Sequence, residues 1–435
     1  MTSPPKPFPA IWFWGLSAGL TLFTIYGSLV PFEYVPRPWS DACHSWAWVW
    51  GHRLVPESRS DFLANYQLGL PLGFCLLGAL RLDRKGIGGT ILAIALTLPF
   101  CVGLATAVEF TQLWFPKRTC AASDVIAQSL GSTSGMVIWI AVGQRMTDFA
   151  RKIWLSPNVG GRIGRALVLY LICLAAVMTL PWDISASPAD WVRKARQEIT
   201  YRPFQEWQRE EQRSKKLRDW AEQIALFAPV GLLAAGLPGR FRRASGVVVV
   251  GVSGLVLGLL IETAQWPIVS RHPSMTDVTI DTAAVLLGWI TGRCLALRWI
   301  HVLAPALAWL GLLAGVEWWP MDFDHSLWSK RISGWELLPF LSLESKNYMF
   351  WLEEIIVKSM FFAPLGAAGY RLGLFRIVAL CALASMAIEV GQIYLADRYP
   401  SLTDVILAVT GGGIGAIVTR AVLKPEENLP REISA

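Results

Sequence analysis

Residues 261–288 read IETAQWPIVSRHPSMTDVTIDTAAVLLG, a stretch that sets Glu262, Gln265, Arg271, Asp277 and Asp281 between two apolar segments. The set recurs twice: as Glu109, Gln112, Arg118 and Asp124 before Gly135, and as Glu389, Gln392, Arg398 and Asp404 before Gly415, with Gly288 closing the middle copy. The offsets from Glu to Gln, Arg, Asp and Gly are the same in all three copies, without a gap. Five residue types kept at fixed spacing in three places mark an internal repeat. The local wording agrees: RHPSMTDV at 271–278, RYPSLTDV at 398–405, and a more divergent RTCAASDV at 118–125.

The composition fixes the solvent of this repeat. Of 435 residues, 54% are hydrophobic and 16% charged, and mean hydropathy is +0.43. A soluble domain carries about a quarter charged residues, so the chain reads as an integral membrane protein. Apolar runs of about 18 to 22 residues, enough to cross the hydrocarbon core as helices, occur about twelve times. The expectation is an all-α polytopic helix bundle of three four-helix repeats, at residues 11–145, 164–298 and 301–422. An even number of helices per repeat makes the copies parallel.

The excess of cations follows topology. Arg81, Arg84 and Lys85, then Arg145, Arg151 and Lys152, then Arg240, Arg242 and Arg243, and Arg371 with Arg376 crowd one set of loops, where the acids between helices are Asp83 and Asp148. The positive-inside rule then puts both termini in the cytoplasm and the three polar stretches outside. The net charge of +7 accordingly points to a membrane and not to nucleic acid. The first apolar run has no small-residue cleavage site after it and is expected to be retained. Seven cysteines cannot all pair. Cys43 and Cys120 share the outer side of the first repeat, where an oxidising compartment permits a disulfide; two free thiols are the expectation.

Three further signals accompany each repeat. The first helix ends in a proline step, at Pro31-Phe32, Pro181-Trp182 and Pro320-Met321. A long loop follows with a second proline-aromatic step, at Pro38-Trp39, Pro203-Phe204 and Pro339-Phe340, and with many tryptophans, among them Trp46, Trp191, Trp207, Trp328 and Trp335. Tryptophan with proline at a membrane edge indicates an interfacial segment. The second helix carries Pro-x-Gly, at Pro71, Pro229 and Pro364, with Asn65, Gln223 or Lys358 six residues earlier. Each proline removes a backbone donor, so these helices are expected to be kinked and packed inside the bundle.

Glu and Gln at i and i+3 share a helix face, so each copy presents a carboxylate and an amide together. An acid in a membrane segment faces protein or a watery cleft, because exposure to lipid costs at least about 2.5 kcal/mol. The Arg falls in the following loop and the Asp opens the next helix, where a carboxylate complements the helix dipole. Ser123, Thr276 and Thr403 compete with the Asp residues as caps. A Glu–Arg pair pinning two helices is one reading of the cluster, and contact with a ligand or proton is the other. Gly135, Gly288 and Gly415 fit close helix contact. Asp281 has Gln128 and Ala408 as counterparts, so the copies are not chemically equal.

The ordered set resembles the VanZ-like family, bacterial membrane proteins named from a teicoplanin-resistance determinant. The match covers nearly the whole chain as three fused copies. Gln223 and Lys358 stand where that pattern has Asn, and Gln128, Asp281 and Ala408 replace a later Asn. The resemblance names a class of bacterial membrane protein linked to glycopeptide susceptibility and no reaction; the outer side on which all three clusters fall suggests a non-enzymatic envelope protein of the inner membrane, in which the Glu, Gln, Arg and Asp groups of the three copies and Asp281 engage a polar lipid or a glycolipid or cell-wall precursor headgroup and alter that susceptibility. A proton-coupled transporter or lipid flippase is the alternative, drawn from twelve helices, parallel repeats and intramembrane acids. For an enzyme, the five histidines show no metal-ligand spacing, and phosphate-loop and Cys-x-x-Cys motifs are absent. No metal or cofactor is expected. If a single copy acts, the second, with its extra Asp281, is the expected one.

Overall fold

The computed structural model describes residues 8–56, 59–155, 158–180, 182–185, 187–197, 199–205, 210–243, 245–295, 300–324, 326, 338–341, 348–396 and 398–423. Trp207, Trp328 and Trp335 of the interfacial loops lie outside these residues. The protein is an all-α polytopic membrane bundle. The first repeat comprises α1 (Ala10–Leu29), the interfacial α2 (Trp39–His52), α3 (Arg59–Arg81), α4 (Ile87–Gln112) and α5 (Ala122–Ile138), the last continued through a π turn into α6 (Gln144–Leu155). The second comprises α7 (Val159–Thr179), a short α8 (Pro188–Gln197), α9 (Glu210–Ala235), α10 (Gly246–Gln265) and α11 (Met275–Leu295). The third comprises α12 (Ile300–Trp318), α13 (Tyr348–Ala368), α14 (Leu374–Gln392) and α15 (Leu402–Leu423).

Among the described residues, eight helices are long and apolar enough to span by composition alone. Four others hold the corresponding places in the second and third repeats: α9, α11, α12 and α13. Three of these carry charges within the helix, such as Asp277, Asp281 and Arg293 in α11 and Glu353, Glu354 and Lys358 in α13. Protein replaces lipid as the neighbour of these charges: Asp281 is fully buried and Lys358 pairs with Asp404. The charged residues 210–220 run directly into α9 and extend it by three turns.

The chain divides into two compact units. One holds residues 1–151 with 340–351, and the other residues 152–339 with 352–435, so the second and third repeats share a unit. In the first unit Phe13, Phe74 and Trp139 pack edge to face around Leu77 and Met136. Phe340 also belongs to this unit, its ring 5.1 Å from that of Phe23. In the second unit one core runs through both repeats, from Leu174, Phe227 and Val250 to Leu313, Phe361 and Ile377.

In each repeat the second and fourth helices approach closely, backbone to backbone. A Cβ added at Gly135, Gly288 or Gly415 would overlap the carbonyl oxygen of Leu70, Ala228 or Ala363, in each case the residue before the helix proline. Reciprocally, a Cβ at Gly73, Gly231 or Gly366 would overlap the carbonyl of Ser132, Val285 or Gly412. Close packing of this kind is how membrane helices associate without a hydrophobic drive between them. It explains why Pro-x-Gly in one helix and Gly in the other are repeated together.

Candidate functional site

The polar stretch is a hairpin between the third and fourth helices, and its Glu holds the hairpin closed. Glu109 Oε2 accepts from the backbone N–H of Ala121 at 3.0 Å, Glu262 Oε2 from Ser274 at 2.7 Å and Glu389 Oε2 from Ser401 at 2.7 Å. All three carboxylates are buried. Each therefore satisfies one of the free amides at the start of the following helix. In the second and third copies that same serine is also the side-chain cap: Ser274 Oγ accepts from Thr276 N–H at 3.1 Å and Ser401 Oγ from Thr403 N–H at 3.2 Å. This corrects the expected caps. Asp277 and Asp404 stand within the first turn, and Thr276 and Thr403 are donors through their backbones, because the helices begin at Met275 and Leu402.

Gln and Arg tie the hairpin to the end of the first helix. Gln112 Nε2 donates to the Ser28 carbonyl at 3.0 Å, and Gln265 Nε2 to that of Met178 at 2.8 Å, each three residues before the proline step. In the third copy that position is Glu317, and Gln392 Nε2 donates to its carboxylate at 3.3 Å. Arg118 donates to Gly27 O at 2.9 Å, and Arg271 to Leu180 O at 2.8 Å and Val177 O at 3.4 Å. The ion partner of Arg271 is Glu353 of α13, at 2.7 Å, and not Glu262 of its own copy. The reason is geometric: Glu262 is already engaged by the Ser274 amide, and Arg271 reaches the neighbouring repeat within the same unit. Arg398 is half-buried, and burial together with the charge of Arg218 lowers its pKa, with Glu317, Glu222 and Asp404 acting in the opposite sense.

The proline step completes the frame. Phe32, Trp182 and Met321 have φ of 65°, 62° and 65°, the left-handed region that L-residues rarely enter. Four residues after each proline an N–H donates to the loop after the third helix: Val35 to Trp114 O, Ser185 to Pro267 O and Asp324 to Tyr394 O, at 2.9, 2.9 and 2.7 Å. The first helix, its turn and the polar hairpin thus form one hydrogen-bonded corner, made three times. In the second copy α8 docks on it, with the buried Lys194 ammonium donating to Ile268 O.

The copies part company at two facing positions, one in the second helix and one in the fourth. In the first repeat Gln128 Nε2 donates to Asn65 Oδ1 at 2.9 Å. In the second these positions hold Gln223 and Asp281; Asp281 is fully buried, and its two oxygens and Gln223 Oε1 have no hydrogen-bond partner among the described residues. In the third, Ala408 offers no polar partner at the facing position, and the Lys358 ammonium turns to Asp404 at the start of the same helix and, at 3.2 Å, to Glu354. Glu354 belongs to a repeated acid missed in the sequence: Asp61, Asp219 and Glu354 each precede the Asn, Gln or Lys by four residues, one helical turn.

Polar groups of the first repeat converge on a cavity of about 190 Å³, lined by Asp61, Asn65, Glu109, Gln112, Arg118 and Asp124 among others. Gln112 Oε1, more than nine-tenths buried, accepts no hydrogen bond among the described residues. In the third repeat Glu317, Lys358, Glu389 and Asp404 line a space of only about 10 Å³, no more than one water requires. Cys43 and Cys120 are free thiols, the first exposed and the second buried. Burial, with the Glu109 charge adding to it, pushes the Cys120 thiol up to about 12.

The model of the VanZ/LLP1 family matches residues 8–143, 167–296 and 305–423, nearly the whole chain. No curated protein and no solved structure matches it. Each matched segment contains a complete corner, from proline step to polar hairpin, and the chain belongs to the VanZ/LLP1 family as three fused copies.

Proposed function

We propose that this VanZ-family protein is a non-enzymatic component of the bacterial inner membrane, with both termini cytoplasmic, whose first repeat engages the polar headgroup of a membrane lipid or cell-wall precursor and thereby affects glycopeptide susceptibility. The observation that carries this is the 190 Å³ cavity in which Glu109, Gln112, Arg118 and Asp124 meet. Its lining mixes carboxylates, an amide and a guanidinium, which suits a polar headgroup better than an acyl chain. The first copy replaces the second as the preferred acting copy on this ground. Loss of the gene should change teicoplanin susceptibility, and Gln112→Ala with Asp124→Ala should reproduce that change. A null strain with unaltered susceptibility and unaltered lipid and precursor composition would contradict the proposal.

A second reading, a proton-coupled transporter or flippase, is favoured by Asp281, a buried carboxyl group without a hydrogen-bond partner inside the membrane bundle. Proteoliposomes would distinguish the two. Lipid or solute flux that follows an imposed proton gradient and is uncoupled by Asp281→Asn supports transport, and gradient-independent behaviour of both proteins removes it.

A further inference from the structure

The third repeat contains a built-in answer to what the first repeat holds. Lys358 occupies in α13 the position that Asn65 occupies in α3, and its ammonium is held by Asp404 and Glu354. The first-repeat counterparts of those two acids are Asp124 and Asp61, and both line the open cavity. Where the lysine is present the space shrinks to about 10 Å³; where asparagine replaces it the space is about 190 Å³. Gln112 Oε1 adds an acceptor that nothing in the described protein satisfies.

We infer that the first-repeat cavity binds a primary ammonium group, seated between Asp61 and Asp124 as the Lys358 ammonium is seated between Glu354 and Asp404. The inference rests on the headgroup reading above and names the chemistry of that headgroup. A primary ammonium brings three N–H donors to a lining rich in acceptors, and a quaternary ammonium brings none. Arg118 lines the same cavity and adds a fixed cation, so a ligand carrying a phosphate next to its amine satisfies both ends. A phosphoethanolamine-type zwitterion has this form, whether as the headgroup of a phospholipid or free in solution.

The third repeat also supplies the test, because the double substitution Asn65→Lys with Gln128→Ala writes its residues into the first. Native mass spectrometry of the full-length protein would compare retention of phosphatidylethanolamine, phosphatidylcholine and phosphatidylglycerol. The wild type should hold phosphatidylethanolamine about tenfold or more tighter than phosphatidylcholine, the difference that one charge-assisted hydrogen bond makes. The double variant should lose that preference while keeping its melting temperature. Should it fail to fold, Asp124→Asn alone must still reduce the preference. Competition by excess soluble phosphoethanolamine assigns the site to free as well as lipid-borne amines; failure to compete restricts it to lipid. Equal binding of the three lipids, all weakened by the double variant, overturns the ammonium but leaves the headgroup reading standing. Lipid binding indifferent to the double variant overturns both.

Discussion

The first and third repeats share a backbone corner, a glycine contact and a hairpin closed by glutamate, yet one encloses an open polar cavity and the other fills that space with its own lysine. The invariant residues, Glu109 and Glu389 or Gly135 and Gly415, serve amides and carbonyls of the frame. The variable ones, Asn65 and Gln128 against Lys358 and Ala408, decide what the frame contains. Repetition thus identifies the scaffold, and departure from repetition identifies the chemistry.

The sharpest way to break the comparison is to remove the lysine. Lys358→Met leaves Asp404 without its ion partner in a mostly buried setting and should destabilise the protein by about 3–5 kcal/mol, as loss of one member of a buried pair does. Thermal unfolding in detergent would measure it, and Asp404→Leu in the same chain should restore much of the loss. Next in size, Glu262→Ala removes the acceptor of the Ser274 amide and should cost about 1.5–3 kcal/mol, with the matching substitutions at Glu109 and Glu389 costing similar amounts. A clear inequality among the three would show that the carboxylates do more than close the hairpin in one copy. Gly288→Ala drives a methyl group into the Ala228 carbonyl and should cost about 1–3 kcal/mol. Asn65→Leu loses the bonds accepted from Gln128 and donated to the Asp61 carbonyl and should cost about 1–2 kcal/mol, below the effect at Lys358.

The smallest expected effect is chemical. Cys120 is buried beside Glu109, and its thiol is pushed up to about 12, so the reactive thiolate is scarce at neutral pH. Its alkylation should be far slower than that of the exposed Cys43 and should accelerate about tenfold per pH unit up to that value. Equal labelling of the two thiols at neutral pH would place Cys120 in an open site.

Much of this frame was legible in the sequence because spacing survives where chemistry drifts. The offsets joining Glu109, Gln112, Arg118 and Asp124 recur gaplessly and foretold three hairpins, and the repeated glycines foretold close helix contact without naming the partner helix. The acid formed by Asp61, Asp219 and Glu354 was equally available by counting four residues back from Asn65, Gln223 and Lys358, but Asp and Glu both occur there, which hides the repeat from a search for one residue type. Two features were not legible. Periodicity cannot tell that Arg271 crosses to Glu353 of the next repeat, since that depends on how repeats pack. Nor does it tell that Ser274 and Ser401, and not the acids after them, cap the fourth helices, since a helix start moves by one or two residues at little cost.

The central claim is that one scaffold exists in an open form in the first repeat and a self-occupied form in the third. A density map of the protein prepared in phosphatidylethanolamine-containing membranes tests it most directly. It should contain non-protein density between Asp61, Gln112 and Asp124, and only the lysine side chain between Glu354 and Asp404. A first-repeat cavity holding water alone, or a headgroup displacing Lys358 from Asp404, would contradict it.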